Sequence, residues 1–345
     1  MMAKLNLPCW TEGHHKVLSP TGYVFSALEV VLGEDLGSWS QNPKAHYLLR
    51  RTGLFCEDVL RPDCQVSPNQ VARLLDNLRK EDPTLSFAIA QRLLPGVLET
   101  SSNLLMHAPT LGHALEAICL LWWCHFPLLA PRIRRTDNAC FIVLDDAYGV
   151  AQSNTDLYVF LAETVYSALM TFLNWSFQQA LPWQASFSYN KPSWHRFYLG
   201  NTDIDVRYHQ PITYLAISQK NMGVSRSMAS ASVFTMAERA LEGKTKLDSL
   251  ILLMKARMRT SLIEVPKLEA FADELGVSTA TLKRKLKQHN TSYQMLWNQV
   301  RWEESYFLKR HHRLSDDEIA GQLSFYDVSN FRRFLRRWER SRSIG

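Results

Sequence analysis

The sequence predicts an α+β N-terminal domain followed by an all-α C-terminal domain that carries two helix-turn-helix units. Three observations point there. Between residues 268 and 338 one small device occurs twice: a short helix, a tight turn, and a second helix with cations on one face. Charge is unevenly placed, with 19 Lys+Arg against 12 Asp+Glu in residues 246–345 and 20 against 21 in the other 245. Upstream of residue 225, helical periodicity gives way to short β-rich runs. With 345 residues, 46% of them hydrophobic, the chain has material for two cores and is not generally disordered.

Taken in order, residues before about Pro20 read as a loose leader. MMAKLNLPCWTEGHHK has no apolar core of signal-peptide length before His14, which predicts a cytoplasmic protein. A helix is expected over 23–36, with Val24, Leu28, Val31 and Leu32 on one face. Ser67 is placed to cap the next, Pro68 to take its first turn, and Val71, Leu74, Leu75 and Leu78 to bury. Asp82-Pro83 starts another. Two further helices follow, one ending near Met106 and one running from Pro109 into Trp123. The most membrane-like run, residues 114–131, is interrupted by Glu116, His125, Pro127 and Pro131, so it reads as a buried helix.

After Pro131 the character changes. RIRR, TDN and ACFIVLDD read as two strands around a turn. A long helix is expected over 156–179, with Leu157, Leu161, Val165, Ala168, Phe172 and Trp175 at helical spacing. Its apolar stripe is longer than one small domain obviously requires, which suggests a subunit contact. Short strands are expected at 183–189, 204–208 and 212–218. The expected domains are 15–225, a linker at 226–245, and 246–345.

In the C-terminal part, Leu268, Phe271, Ala272 and Leu275 form the first scaffold face. Gly276 supplies the turn, Ser278 caps, and Leu282 and Leu286 bury beneath Lys283, Arg284 and Lys287. In the second copy Ile319, Ala320 and Leu323 are followed by a turn at 324–327, then by Phe331, Phe334, Leu335 and Trp338 on one face and Arg332, Arg333, Arg336 and Arg337 on the other. This is the arrangement of a scaffold helix and a helix free to enter a major groove. A connecting helix over 293–310, with Leu296, Val300 and Leu308 as its inner stripe, sets the separation of the two units.

LGVSTATLKRKLKQHNTSYQMLWNQVRWEESYFL followed by LSDDEIAGQLSFYDVSNFRRFLRRW resembles the C-terminal DNA-binding region of AraC/XylS-family transcription regulators, over about 100 residues. LLRRTGLFCEDVLRPDCQVSPNQVARLL, APTLGHALEAI and YHQPITYLAIS resemble the N-terminal domain called arabinose-binding-like in a subgroup of that family; the name identifies no sugar here. The resemblance implies double-stranded DNA as partner, with a small-molecule effector, a homodimer partner and, for an activator, RNA polymerase as further candidates. It presents Ala280, Lys283 and Arg284 to the groove floor, with Thr279 and Thr281 near phosphates. The second helix presents Val328, Ser329, Arg332 and Arg333, with Arg336 and Arg337 as phosphate contacts. Arg and Lys can donate to guanine O6 and N7; Ala280 and Val328 offer apolar contact alone. Arg301 matches a position that holds the connecting helix. Two departures weaken the second unit: Ser324 stands where the family has Gly, and the Gly and Pro after the aromatic are missing. A rival reading is therefore a small-molecule or protein-interaction module whose degenerate second unit no longer supports specific DNA binding.

The sequence has no GxSxG, GxGxxG, HExxH or P-loop, so a non-enzyme without cofactor or metal is expected. Asp145-Asp146 reads as a solvated turn before it reads as a metal site. His107, His113 and His125 read as core histidines and Trp122 as core. The six cysteines show no CxxC pair and read as reduced thiols.

Overall fold

The computed structural model describes residues 19–20, 22–61, 64–96, 101–125, 128–199, 204–241 and 249–342. The leader, the start of the C-terminal region at 242–248 and the last three residues lie outside them, as do the side chains of Trp123 and His125.

The N-terminal part opens with strand β1 (Ser19–Pro20), helix α1 (Gly22–Leu32), a 3-10 turn at Leu36–Gln41, α2 (Pro43–Leu49) and α3 (Cys56–Val59). The expected helix over 23–36 thus stops at Leu32, because Gly33 adopts φ +83. Strand β2 (Gln65–Val66) pairs antiparallel with β1. Helix α4 (Pro68–Glu81) begins as expected: the Ser67 hydroxyl accepts from the Gln70 amide, the Gln70 side chain accepts from the Ser67 amide, and Val71, Leu74, Leu75 and Leu78 are buried. Helices α5 (Leu85–Leu93), α6 (Ser102–Met106) and α7 (Leu111–His125) follow.

Strands β3 (Leu129–Arg135) and β4 (Ala139–Asp146) form the expected hairpin, and α8 (Val150–Ser153) leads into the long helix α9 (Thr155–Phe177). The chain continues through β5 (Gln184–Ser186), α10 (Arg196–Leu199), β6 (Asp205–Arg207) and β7 (Tyr214–Ser218). The five-stranded sheet has the order β3-β4-β7-β5-β6, antiparallel except for β5 and β6.

Helix α9 corrects one expectation. By length and composition it could cross a membrane, but 78% of its most apolar window is buried inside the chain. Its stripe packs against α5, α4 and α7, with Phe160, Leu161, Val165, Ala168 and Leu169 in the main core. The stripe is long because the helix is surrounded, so it gives no reason to invoke a second subunit; Trp175 is exposed. His113 is likewise exposed, bonded to the Thr110 hydroxyl at 2.7 Å, and is no core histidine. Trp122 is fully buried.

The sheet carries a core on each side. Alternate residues of β4 face opposite ways. Cys140, Ile142 and Leu144 join the N-terminal core, whereas Phe141 and Val143 join a second cluster with Ile212, Ala216, Trp302 and Phe307. That is why the stretch ACFIVL of β4 is apolar throughout.

Helix α11 (Ala231–Leu241), within the stretch expected as a linker, packs on α6 and puts Phe234 into the N-terminal core. The C-terminal part comprises α12 (Leu250–Thr260), α13 (Leu268–Glu274), α14 (Thr279–Gln288), α15 (Tyr293–Arg310), α16 (Asp316–Gln322) and α17 (Val328–Arg342).

Candidate nucleic-acid interface

The first helix-turn-helix is α13 and α14. Phe271, Ala272, Leu275, Leu282 and Leu286 close a core with Met254 and Met258 of α12 and Leu296, Trp297 and Val300 of α15. Gly276 takes φ +64 in the turn, a conformation costly for residues with a Cβ. The Ser278 hydroxyl accepts from the Thr281 amide at 3.1 Å and caps α14. These contacts hold α14 with Ala280, Lys283, Arg284 and Lys287 exposed and Thr279 and Thr281 half-buried. The Thr281 hydroxyl lies 3.0 Å from that of Ser278 and belongs to the cap.

The second unit is α16 and α17, built on Ile319, Ala320, Leu323 and Phe331 with Leu308 of α15. The Ser315 hydroxyl and Glu318 carboxylate form a capping box. Ser324 does occupy the position expected of glycine, at φ +55. Its hydroxyl lies 2.7 Å from the Leu262 carbonyl and 2.6 Å from that of Ile263, while its own carbonyl accepts from Arg301 Nη2. The Arg301 guanidinium lies over the rings of Phe325 and Trp297, at 4.1 and 4.8 Å. Arg301 thus ties the second turn to α15, the structural part its position implied, and the turn forms despite the missing glycine.

On α17 Ser329, Arg332, Arg333, Arg336 and Arg337 are exposed and Val328 is half-buried. Among the described residues Lys283, Arg284, Arg333, Arg336 and Arg337 have no carboxylate within ion-pair distance. Arg332 differs: its Nε donates to Asp316 at 2.8 Å, and Lys309 meets the same carboxylate at 2.9 Å. Hydrogen bonds from Arg332 and Lys309 hold the Asp316 carboxyl below its ordinary range.

Sequence reasoning missed a buried seam between the two parts. On β3 the alternation Arg132-x-Arg134 points both guanidiniums off the sheet, where Arg132 meets Glu303 and Arg134 meets Glu304 on α15. Asp145, expected in a solvated turn, is 6% exposed and takes Arg259 of α12 at 2.7 and 2.9 Å and Arg132 at 3.0 Å. Burial opposes its ionisation, but Arg259, Arg132 and Lys255 outweigh burial and hold its carboxyl well below the usual carboxylate range. Asp146 is also buried, accepting from the amides of Tyr148, Gly149 and Ala151. The bracket of arginines around Asp145 leaves no metal-like site, and among the described residues no cluster could hold a metal ion.

Apolar contact supplies adhesion across the seam. Phe307 is fully buried, Trp302 nearly so with its Nε1–H on the Pro211 carbonyl at 2.9 Å, and Phe334, Leu335 and Trp338 of α17 pack onto the same cluster. Burying one such side chain contributes about 1.5–3 kcal/mol, whereas buried ion pairs mainly fix register. At the other end Gly149, at φ +76, lies so close to the end of α14 that a Cβ there would stand 1.9 Å from the His289 carbonyl oxygen. The N-terminal part therefore touches the frame of both recognition helices and leaves their cationic faces open.

The model of the arabinose-binding domain of AraC transcription regulators matches residues 44–223. The chain is 25% identical over 315 residues to a protein named ornithine utilization regulator from Pseudomonas aeruginosa, covering 85% of this chain and 89% of that one. The crystal structure of the transcriptional regulator CdpR from Pseudomonas aeruginosa covers 74% of this chain and 84% of its own, at 19% identity and a TM-score of 0.36. Because the domain model spans more than half of the sequence and two helix-turn-helix units follow it, the chain belongs to the AraC family of DNA-binding transcription regulators.

Proposed function

We propose that this protein binds specific double-stranded DNA through both helix-turn-helix units, and that its N-terminal domain adjusts that binding in response to a small molecule. The observation that carries the reading is the pair of capped, cationic helices α14 and α17, packed against one continuous α15 with their basic faces exposed. Lys283, Arg284, Arg332 and Arg333 read bases, Arg332 after leaving Asp316. Ala280 and Val328 give apolar contacts, Ser329 faces the bases beside Val328, and Thr279, Thr281, Arg336 and Arg337 contact the backbone. The relative named for ornithine utilization supports a small-molecule effector without identifying it. The seam through Asp145, Arg259 and Glu303 is the route by which a change in the N-terminal core reaches α15.

The test is fluorescence anisotropy of the full chain on DNA from upstream of its own gene, against shuffled DNA, over a salt series. Specific binding that weakens steeply with salt is expected. Equal affinity for both DNAs would remove base reading, and no binding to either would remove DNA as the partner.

A further inference from the structure

Glu163 lies in the middle of α9 with no exposed surface. Asp145 is ringed by cations, but among the described residues no Lys, Arg or His lies within ion-pair distance of Glu163. Its carboxyl oxygens instead receive the Trp194 Nε1–H, at 3.1 and 3.2 Å, and Ser86 Oγ stands 3.2 Å from one of them. Around it the wall is aromatic. Phe187 lies 4.9 Å from the ring of Tyr189, 5.2 Å from Tyr198 and 5.5 Å from Tyr208, and Phe87 meets Tyr198 edge-on at 4.8 Å. Among the described residues the buried Tyr208 hydroxyl and His195 Nδ1 have no hydrogen-bond partner. Beyond Tyr198, between Phe87, Ser167, Met170 and Phe197, a cavity of about 20 Å³ remains, the room of roughly one water.

A buried carboxyl enclosed by aromatic faces, with no cation of its own, suits an organic cation. We propose that Glu163 and its tyrosines bind a small primary amine, whose ammonium takes the place of the Trp194 indole N–H. Trp194, which is partly exposed, turns outward to admit it, and the aliphatic stem extends towards the cavity beside Tyr198. This deepens the effector reading above by naming the class of ligand.

Proton balance gives the proposal a signature. Burial pushes the Glu163 carboxyl up to about 8, so near pH 7 it is protonated. Binding an ammonium ion leaves the carboxylate paired and releases one proton to solvent. The facing Tyr189, Tyr198 and Tyr208 are not ionised near pH 7, because burial raises each of them; His195 follows Trp194 in the chain.

The experiment is calorimetric titration of the full-length protein with ethylamine at pH 7 and pH 9, in buffers of different ionisation enthalpy, with ethanol as the uncharged control and thermal melting alongside. The amine is expected to bind, to raise the melting temperature, and to release about one proton at pH 7 and a small fraction of one at pH 9. The alcohol should do neither. Glu163→Gln should fold and lose binding at least tenfold, whereas Trp194→Phe, which removes the competing donor, should bind several-fold more tightly. No heat or melting shift with the amine, undiminished binding by Glu163→Gln, or binding at pH 7 without proton release overturns the site. Amine binding that leaves operator affinity unchanged keeps the site and removes its part as effector sensor; an operator response that survives Glu163→Gln places the sensor elsewhere.

Discussion

Ser324 shows how one side chain can answer for a missing glycine. Its φ of +55 costs about 1 kcal/mol for a residue with a Cβ, and its hydroxyl bond to the Leu262 or Ile263 carbonyl returns about as much. Ser324→Gly should therefore leave stability within about 0.5 kcal/mol, because relief of strain and loss of the hydroxyl offset one another. Ser324→Ala keeps the strain and loses the bond, so urea unfolding should show it less stable by about 1 kcal/mol. A clearly stabilised glycine variant would mean that the hydroxyl contributes nothing. On α14, Arg284→Ala should weaken operator binding by about 1–3 kcal/mol and relax preference at one base pair; a uniform loss over all sequences would make Arg284 a phosphate contact. The cap at Ser278 and the turn at Gly276 were legible because local backbone rules demand particular residue types there, and the anchoring part of Arg301 was legible through the family resemblance alone. The hydroxyl bonds of Ser324 were not legible, since Leu262 and Ile263 lie some 60 residues earlier and only the fold brings them near.

At the scale of elements, period and punctuation exposed helices α4, α9, α14 and α15 and the hairpin of β3 and β4. What covers each face was not exposed. The apolar stripe of α9 was longer than its own domain seemed to need, and the reason is encirclement by α4, α5 and α7. The alternation Arg132-x-Arg134 opposite Glu303-Glu304 was a signal for the seam, yet pairing them requires knowing that β3 and α15 meet across some 170 residues. Asp145→Asn should destabilise the protein by about 3–5 kcal/mol at pH 7, because Arg259 and Arg132 lose a buried partner. The Asp145 carboxyl is depressed in the folded state, so its contribution is present above the unfolded value near 4 and is lost as pH falls below that. Urea titrations from pH 7 down to pH 3 should show wild type and variant converging; a gap that stays constant would mean that Asp145 is not ionised in the seam. Gly149→Ala drives a Cβ against the His289 carbonyl at the end of α14. It should lower the melting temperature and open the adjoining loop to protease, with every proposed DNA-contacting residue intact. A variant as stable as wild type would show that the loop and α14 do not approach so closely in solution.

For the whole molecule, the charge division and the doubled motif made the C-terminal half legible from sequence, while the N-terminal half was readable mainly as alternating element types. The seam changes what the halves can do alone. A fragment beginning near Thr235 carries both recognition helices but strips the cover from Trp302, Phe307 and Trp338 and leaves Glu303 and Glu304 without Arg132 and Arg134. It should therefore aggregate or bind DNA more weakly than the full chain, whereas two independent domains would bind alike with or without residues 1–234. The central claim is that α14 and α17 read one DNA site together. The most direct measurement is operator affinity of the full chain, with footprinting, for Lys283→Ala/Arg284→Ala and for Arg332→Ala/Arg333→Ala, each over a salt series beside Arg336→Ala/Arg337→Ala. Each of the first two pairs should lose specific affinity at least tenfold, with protection lost first over its own half of the site. The third should weaken specific and shuffled DNA alike and reduce the salt slope by roughly two. Full affinity and an unchanged footprint in the Arg332/Arg333 variant would contradict the account, because α17 would then not read DNA.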